Sequence, residues 1–118
     1  MTLPDRQLKT PVFCALDTPD IHRATGLAAK VADAIGGLKL GLEFFTAQGP
    51  KGVMQIQRAS DLPVFLDLKL NDIPNTVAGA VRAIAPLGAF MLTVHTNGGR
   101  EMMQAAAKTA SEAAYEVV

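Results

Sequence analysis

Leu62-Pro63-Val64-Phe65-Leu66-Asp67-Leu68-Lys69-Leu70-Asn71-Asp72 is an apolar run that turns abruptly into charge. An apolar run bounded by a proline and a polar cluster reads as a buried strand. Strand side chains alternate faces, so Asp67 and Lys69 point the same way and Leu68 the other. Asp72 falls in the turn just past the strand end and is expected to fold back beside Lys69. Two carboxylates and an ammonium at the end of a buried strand are costly unless they pair. The stretch is therefore expected to form a cluster whose charges neutralise one another. A helical pattern begins near Pro74, so this strand leads into a helix.

The same succession extends in both directions. Upstream, Val12-Phe13-Cys14-Ala15-Leu16 is a short apolar run stopped by Asp17-Thr18-Pro19-Asp20, a strand followed by a helix start. Ile21 to Ile35 has helical spacing and ends at Gly36-Gly37. Leu38-Lys39-Leu40-Gly41 is a brief strand with its leucines on one face and Lys39 on the other. Glu43 to Ser60 is helical with a break near Gly49-Pro50. Downstream of the central strand, a helix from about Asn75 to Ala85 is closed by Pro86-Leu87-Gly88. Phe90-Met91-Leu92-Thr93-Val94 is a fourth strand, ended by His95-Thr96-Asn97-Gly98-Gly99. Alanine-dense Arg100 to about Tyr115 is a fourth helix.

Strand and helix thus alternate four times, at intervals of roughly twenty-five to thirty residues, close to the length of one unit of a (β/α)₈ barrel. Apolar strands joined by crossover helices form a parallel sheet covered by helices. Either an open doubly wound sheet or a barrel satisfies that pattern. A full barrel takes about 250 residues, so the 118 residues here would make four of eight units, a half-barrel spanning 1–118 with strands near 12–16, 38–41, 63–68 and 90–94. The polar residues favour the barrel. Asp17, Lys39, Asp67 with Lys69, and His95 stand at or just past the C-terminal ends of four different strands, as barrel enzymes arrange their active sites. An open sheet concentrates such groups at one switch point.

Composition narrows the function. The chain is 49% hydrophobic and 19% charged, with eleven basic and eleven acidic side chains, which suits a globular protein with a core. A formal net charge of zero and 5% aromatic content give no footprint for nucleic acid. Met1 to Thr10 has no apolar core of the signal-peptide kind, and no apolar stretch is long enough to span a bilayer. The single Cys14 has no internal disulfide partner and is expected to be a small buried hydrophobe in a reducing, cytoplasmic setting.

The residues also carry a family resemblance. Asp67-x-Lys69-x-x-Asp72-Ile73-Pro74-Asn75-Thr76, preceded by Leu38-Lys39-Leu40-Gly41 and Leu16-Asp17, resembles orotidine 5′-monophosphate decarboxylase. Val94-His95-Thr96-Asn97-Gly98-Gly99 is similar to the bacterial form of the next strand end, so the likeness runs from Val12 to the last helix. The D-x-K-x-x-D motif is shared with sugar-phosphate decarboxylases and aldolases of the same superfamily. Lys39 discriminates, because those relatives carry an acidic, magnesium-binding residue at that strand end.

The resemblance implies decarboxylation of orotidine 5′-monophosphate to uridine 5′-monophosphate, in pyrimidine biosynthesis, with no metal and no organic cofactor. Lys39, Asp67, Lys69 and Asp72 would be catalytic. Lys69 would stabilise the carbanion developing at C6 and donate the proton. Asp67 would sit near the substrate carboxylate and hold Lys69, and the alternation of lysine and aspartate would keep each lysine protonated. Asp17 would bind ribose hydroxyls, and His95 would line the wall. Asp72, Ile73 and Thr76 would reach across a homodimer interface into the neighbouring site. The only other partner implied is the small-molecule nucleotide; nucleic acid and membrane are not.

Chains of the family are about twice this length, as eight rather than four βα units require. The other half supplies the phosphate grip and the loop that covers the pyrimidine, so a fragment of a longer chain is expected here. The competing function is a catalytically weak or inactive half-barrel that serves as a folding or assembly module. Plainer readings accompany each residue. Asp67, Lys69 and Asp72 also suit a strand-end ion pair with a helix cap, and His95 taken alone suits packing better than acid–base work. Gly98-Gly99 is weak evidence for phosphate binding. Met54, Met91, Met102 and Met103 suit core filling, while Arg82, Arg100 and Lys108 suit solvated helix faces or dimer contacts.

Overall fold

Alternation of strand side chains decides how the sheet is used. The computed structural model describes residues 8–113 and 116–118. It has strands β1 (Phe13–Ala15), β2 (Gly37–Gly41), β3 (Val64–Leu70), β4 (Met91–Val94) and β5 (Glu116–Val117). Helices α1 (Ile21–Val31), α2 (Leu42–Ser60), α3 (Pro74–Ile84) and α4 (Arg100–Glu112) alternate with them. All pairings are parallel and the strand order is β1-β2-β3-β4-β5. A strand order that follows the chain has no reversal, so the open doubly wound alternative, which needs one, is excluded over these strands. Right-handed crossovers between successive neighbours carry every helix to the same face, which is how a (β/α) barrel is wound.

Burial follows that geometry. Leu38, Leu40, Val64, Leu66, Leu68 and Leu92 form one face of the sheet and are buried. They share a core with Ala24 and Ala28 of α1, Phe44, Val53 and Ile56 of α2, Val77 and Val81 of α3, and Met102 and Ala106 of α4. The intervening residues Phe13, Lys39, Phe65, Asp67, Met91 and Thr93 face the other way and are only partly buried. At the N-terminal end of that face, Phe13 meets Phe65 edge-on at 6.0 Å and Phe90 at 6.1 Å. Gly37 makes room for this group, since a Cβ there would come within 2.3 Å of the Phe13 ring.

Helix boundaries have local causes. Asp20 caps α1 by accepting the Arg23 N–H at 2.9 Å. Helix α2 is interrupted at Gly49 (φ 61°), just before Pro50. It stops at Asp61, a left-handed residue whose N–H bonds Gln57 O. Pro74 occupies the first turn of α3, where its missing N–H costs nothing. None of the described helices is long and apolar enough to cross a membrane.

Several expectations are corrected. The first helix stops at Val31 rather than Ile35. The first strand is shorter than expected and its side chains are not fully buried; among the described strands β1 pairs with β2 alone, and Cys14 is half-buried. Met54 is 37% exposed, and Met91 and Met103 are half-buried, so of the four methionines expected to fill the core only Met102 is fully buried. Residues 114 and 115, the expected end of the last helix, lie outside those described. A fifth strand, β5, follows them and pairs with β4. Arg82, Arg100 and Lys108 are exposed, as expected.

One-sided burial predicts unequal costs for neighbouring truncations. In chemical denaturation Leu66→Ala should lose about 2–5 kcal/mol. Phe65→Ala, which gives up mainly an aromatic edge contact, should lose about 1 kcal/mol. Equal losses would contradict a core confined to the helix-bearing face.

Candidate active site

The polar groups collect where the uncovered face meets the C-terminal ends of the strands. Period-two alternation on β2 turns Lys39 away from the leucine core, and β3 does the same for Asp67. Register places Gly41 opposite Asp67, so Lys39 lies two residues back along the neighbouring strand. From there its ammonium Nζ reaches Asp67 Oδ2 at 3.4 Å. Lys69 Nζ approaches the same oxygen at 2.8 Å. The other oxygen, Oδ1, accepts the Thr93 hydroxyl at 2.8 Å. One carboxylate therefore binds two ammonium groups and a hydroxyl. The Asp67 side chain is 14% exposed, Lys39 26% and Lys69 56%, so the aspartate is the buried hub and Lys69 the group that faces outward.

Lys69 gets there through a distortion. Pairing of β3 with β4 runs from Leu66↔Leu92 to Leu70↔Val94, so four residues on β3 advance against two on β4, a bulge. Inside it Lys69 adopts φ 50°, a left-handed conformation that non-glycine residues seldom take. Such a residue costs about 1–3 kcal/mol and persists only where its surroundings hold it. Here its N–H donates to Thr93 Oγ1 at 2.9 Å and its ammonium is tied to Asp67.

Burial pushes the Asp67 carboxyl pKa up. The Lys69 hydrogen bond, the Thr93 hydroxyl and the charges of Lys69 and Lys39 together outweigh that effect, and the net shift is downward. The carboxylate stays ionised beside its two cations.

Of the eight residues expected at the site, Lys39, Asp67 and Lys69 are joined. Asp72 is not where it was expected. Beyond Leu70 the chain has left the sheet, and Asp72, exposed, spends its carboxylate on the adjacent Ile73 N–H at 2.7 Å. The described ion pairs here are Lys39–Asp67 and Lys69–Asp67, and Asp72 joins neither. Ile73 (66% exposed) and Thr76 stand exposed at the start of α3. Asp17 is exposed just past β1. His95 Nδ1 accepts the Asn97 N–H at 3.1 Å. Asp67, Lys69, Thr93, Val94, His95, Thr96 and Val118 line an open cleft of about 320 Å³. Thr93 was missed from sequence. The available signal was a hydroxyl residue in an otherwise apolar strand, on the face opposite Leu92.

Parallel strands wound in chain order, helices on one face and charged groups at the strand ends define half of a (β/α)-barrel of the enzyme type. Residues 10–118 match the family described as Orotidine 5′-phosphate decarboxylase / HUMPS, and the chain belongs to that family. It is 57% identical over 106 residues to the orotidine 5′-phosphate decarboxylase of Rhodospirillum rubrum, covering 90% of this chain and 43% of that one. Among solved structures it resembles orotidine 5′-phosphate decarboxylase from Pyrococcus horikoshii (28% identity, TM-score 0.78), covering 89% of this chain and 48% of that one. The fold also matches orotidine 5′-monophosphate decarboxylase from Methanocaldococcus jannaschii (24% identity, TM-score 0.84), covering 90% and 52%. The chain spans about half the length of the relatives it matches.

A lowered carboxylate pKa sets the sign of a pH effect. Stability from Asp67 is in place above the ordinary aspartate value of about 3.9 and is lost as pH falls through the lower folded value. Asp67→Asn should therefore cost about 1–3 kcal/mol at neutral pH in urea denaturation, and the gap from wild type should narrow in acid. A gap that stays constant with pH would contradict an ionised, paired Asp67.

Proposed function

We propose that this chain is the N-terminal half of a (β/α)₈ orotidine 5′-monophosphate decarboxylase and carries its chemical groups. The observation that carries this reading is the Lys69 ammonium, held 2.8 Å from Asp67 and facing an open cleft at the strand ends. In the reaction the C6–carboxylate bond breaks and CO₂ departs, leaving its electron pair on C6. A cation fixed beside C6 stabilises that charge as it develops. Lys69 then transfers a proton to C6, giving uridine 5′-monophosphate, and is reprotonated from solvent. Asp67 holds the ammonium in position, and Lys39 balances the carboxylate from the other side. No metal or organic cofactor takes part.

Asp17 addresses the ribose hydroxyls and His95 forms part of the wall. Asp72, with Ile73 and Thr76, acts across a homodimer interface. The exposure of these three residues, and the absence of Asp72 from the lysine pairs, support that assignment. The phosphate grip belongs to the βα units beyond these four. The setting is the cytoplasm, as for a soluble biosynthetic enzyme. A half-barrel that only folds and assembles is the rival reading.

The test is the absorbance change on mixing this chain with orotidine monophosphate in the presence of EDTA, beside Lys69→Ala. Turnover that resists the chelator and falls at least 10²- to 10³-fold in the variant is expected, the scale of losing a fixed charge-stabilising group. Turnover unaffected by the substitution would overturn the role of Lys69, and no turnover in the folded chain would favour the assembly reading.

A further inference from the structure

Bulges leave backbone groups without ladder partners, and those groups have to be satisfied by something else. At the β3 bulge the amide of Lys69 lies between the paired Leu66 and Leu70. It donates to the Thr93 hydroxyl at 2.9 Å. A hydroxyl has one proton to give, and Thr93 gives it to Asp67 Oδ1 at 2.8 Å. The chain of contacts runs Lys69 N–H to Thr93 Oγ1 to Asp67 Oδ1, and Asp67 Oδ2 closes the ring on Lys69 Nζ at 2.8 Å. One side chain on β4 thus touches both the backbone of the lysine and the carboxylate that pairs with it.

We infer that Thr93 is a positioning residue: its hydroxyl holds Lys69 in the left-handed conformation and orients the Asp67 carboxylate toward the two lysines. Three features of the geometry support this. Lys69 has φ 50°, which needs external support. With Oδ1 engaged by Thr93, it is Oδ2 that meets both ammonium groups, at 2.8 Å and 3.4 Å. Thr93 is partly buried, which strengthens a hydrogen bond and raises the cost of leaving its partners unmade. The groups facing Asp67 are Lys39 from β2, Lys69 from β3 and Thr93 from β4, with His95 lining the same cleft.

The consequence for catalysis rests on the decarboxylase reading, whereas the geometric role does not. Thr93→Val keeps the shape and removes the hydroxyl, while Thr93→Ser keeps the hydroxyl and removes the methyl. Two NMR measurements on the chain, free of any need for activity, read the role: the pH titration of the Asp67 carboxyl and the hydrogen exchange of the Lys69 amide. Thr93→Val should move the Asp67 titration upward and speed Lys69 amide exchange, and Thr93→Ser should restore both. Where turnover is measurable, the valine variant should lose about tenfold or more in kcat with little change in KM, as a displaced reacting group does, and serine should restore it. Should the valine variant not fold, Thr93→Ala against Thr93→Ser gives the same comparison. Asp67 titrating alike in wild type and the hydroxyl-free variant would overturn the inference, as would a serine variant as perturbed as valine. A wild-type chain with no turnover but the expected NMR pattern would leave the role of Thr93 standing and count against the decarboxylase reading of this chain alone.

Discussion

The Asp67 carboxylate is the constraint on which the site depends. It is mostly buried, on a sheet face whose other end is aromatic, and a buried charge in that place needs partners. Lys39, Lys69 and Thr93 supply them from three adjacent strands. Removing any one weakens the compensation for the desolvation of the others, because each partner is held through the same two oxygens. The lysine nearest the open cleft is thereby tied to a carboxylate rather than left unpaired at the surface. Fixed charge acts on a reacting atom without reorganising first, which is the property that electrostatic catalysis needs.

The fold serves that arrangement by separating two jobs. Leucines and valines on one face of the sheet bury against four helices and supply the stability. The other face is released from core packing and carries Phe13, Phe65 and Met91, then Asp67 and Thr93 toward the strand ends, with Lys39 level with Phe65 and its ammonium reaching forward to Asp67. Because strand order follows chain order, the polar ends of successive strands sit side by side, and residues far apart in sequence meet without long loops. The bulge adds a final adjustment, bringing Lys69 onto the oxygen that Lys39 also uses.

Much of this was legible in the residues. Apolar runs punctuated by Gly, Pro and Asp marked four strands and the helices between them, and the period-two pattern of Leu38-Lys39-Leu40 placed Lys39 opposite the core. Family motifs pointed to the Lys39, Asp67 and Lys69 that the fold brings together. What escaped depends on register between strands, which no single stretch encodes. The left-handed Lys69 and the role of Thr93 come from the mismatch of β3 against β4. Asp72 was misplaced because nearness in sequence suggested nearness to Lys69, whereas the chain leaves the sheet at Leu70 and the adjacent Ile73 N–H takes the carboxylate. Half-buried Cys14 lies on β1, which among the described strands is the edge of the sheet.

That one carboxylate holds both lysines is tested most directly by the ¹⁵Nζ resonances of Lys39 and Lys69 in wild type and in Asp67→Asn. Both ammonium signals should show ion-paired, slowed exchange in the wild type, and both should lose it together in the variant. A variant in which either lysine keeps its signal unchanged would contradict Asp67 as the shared partner.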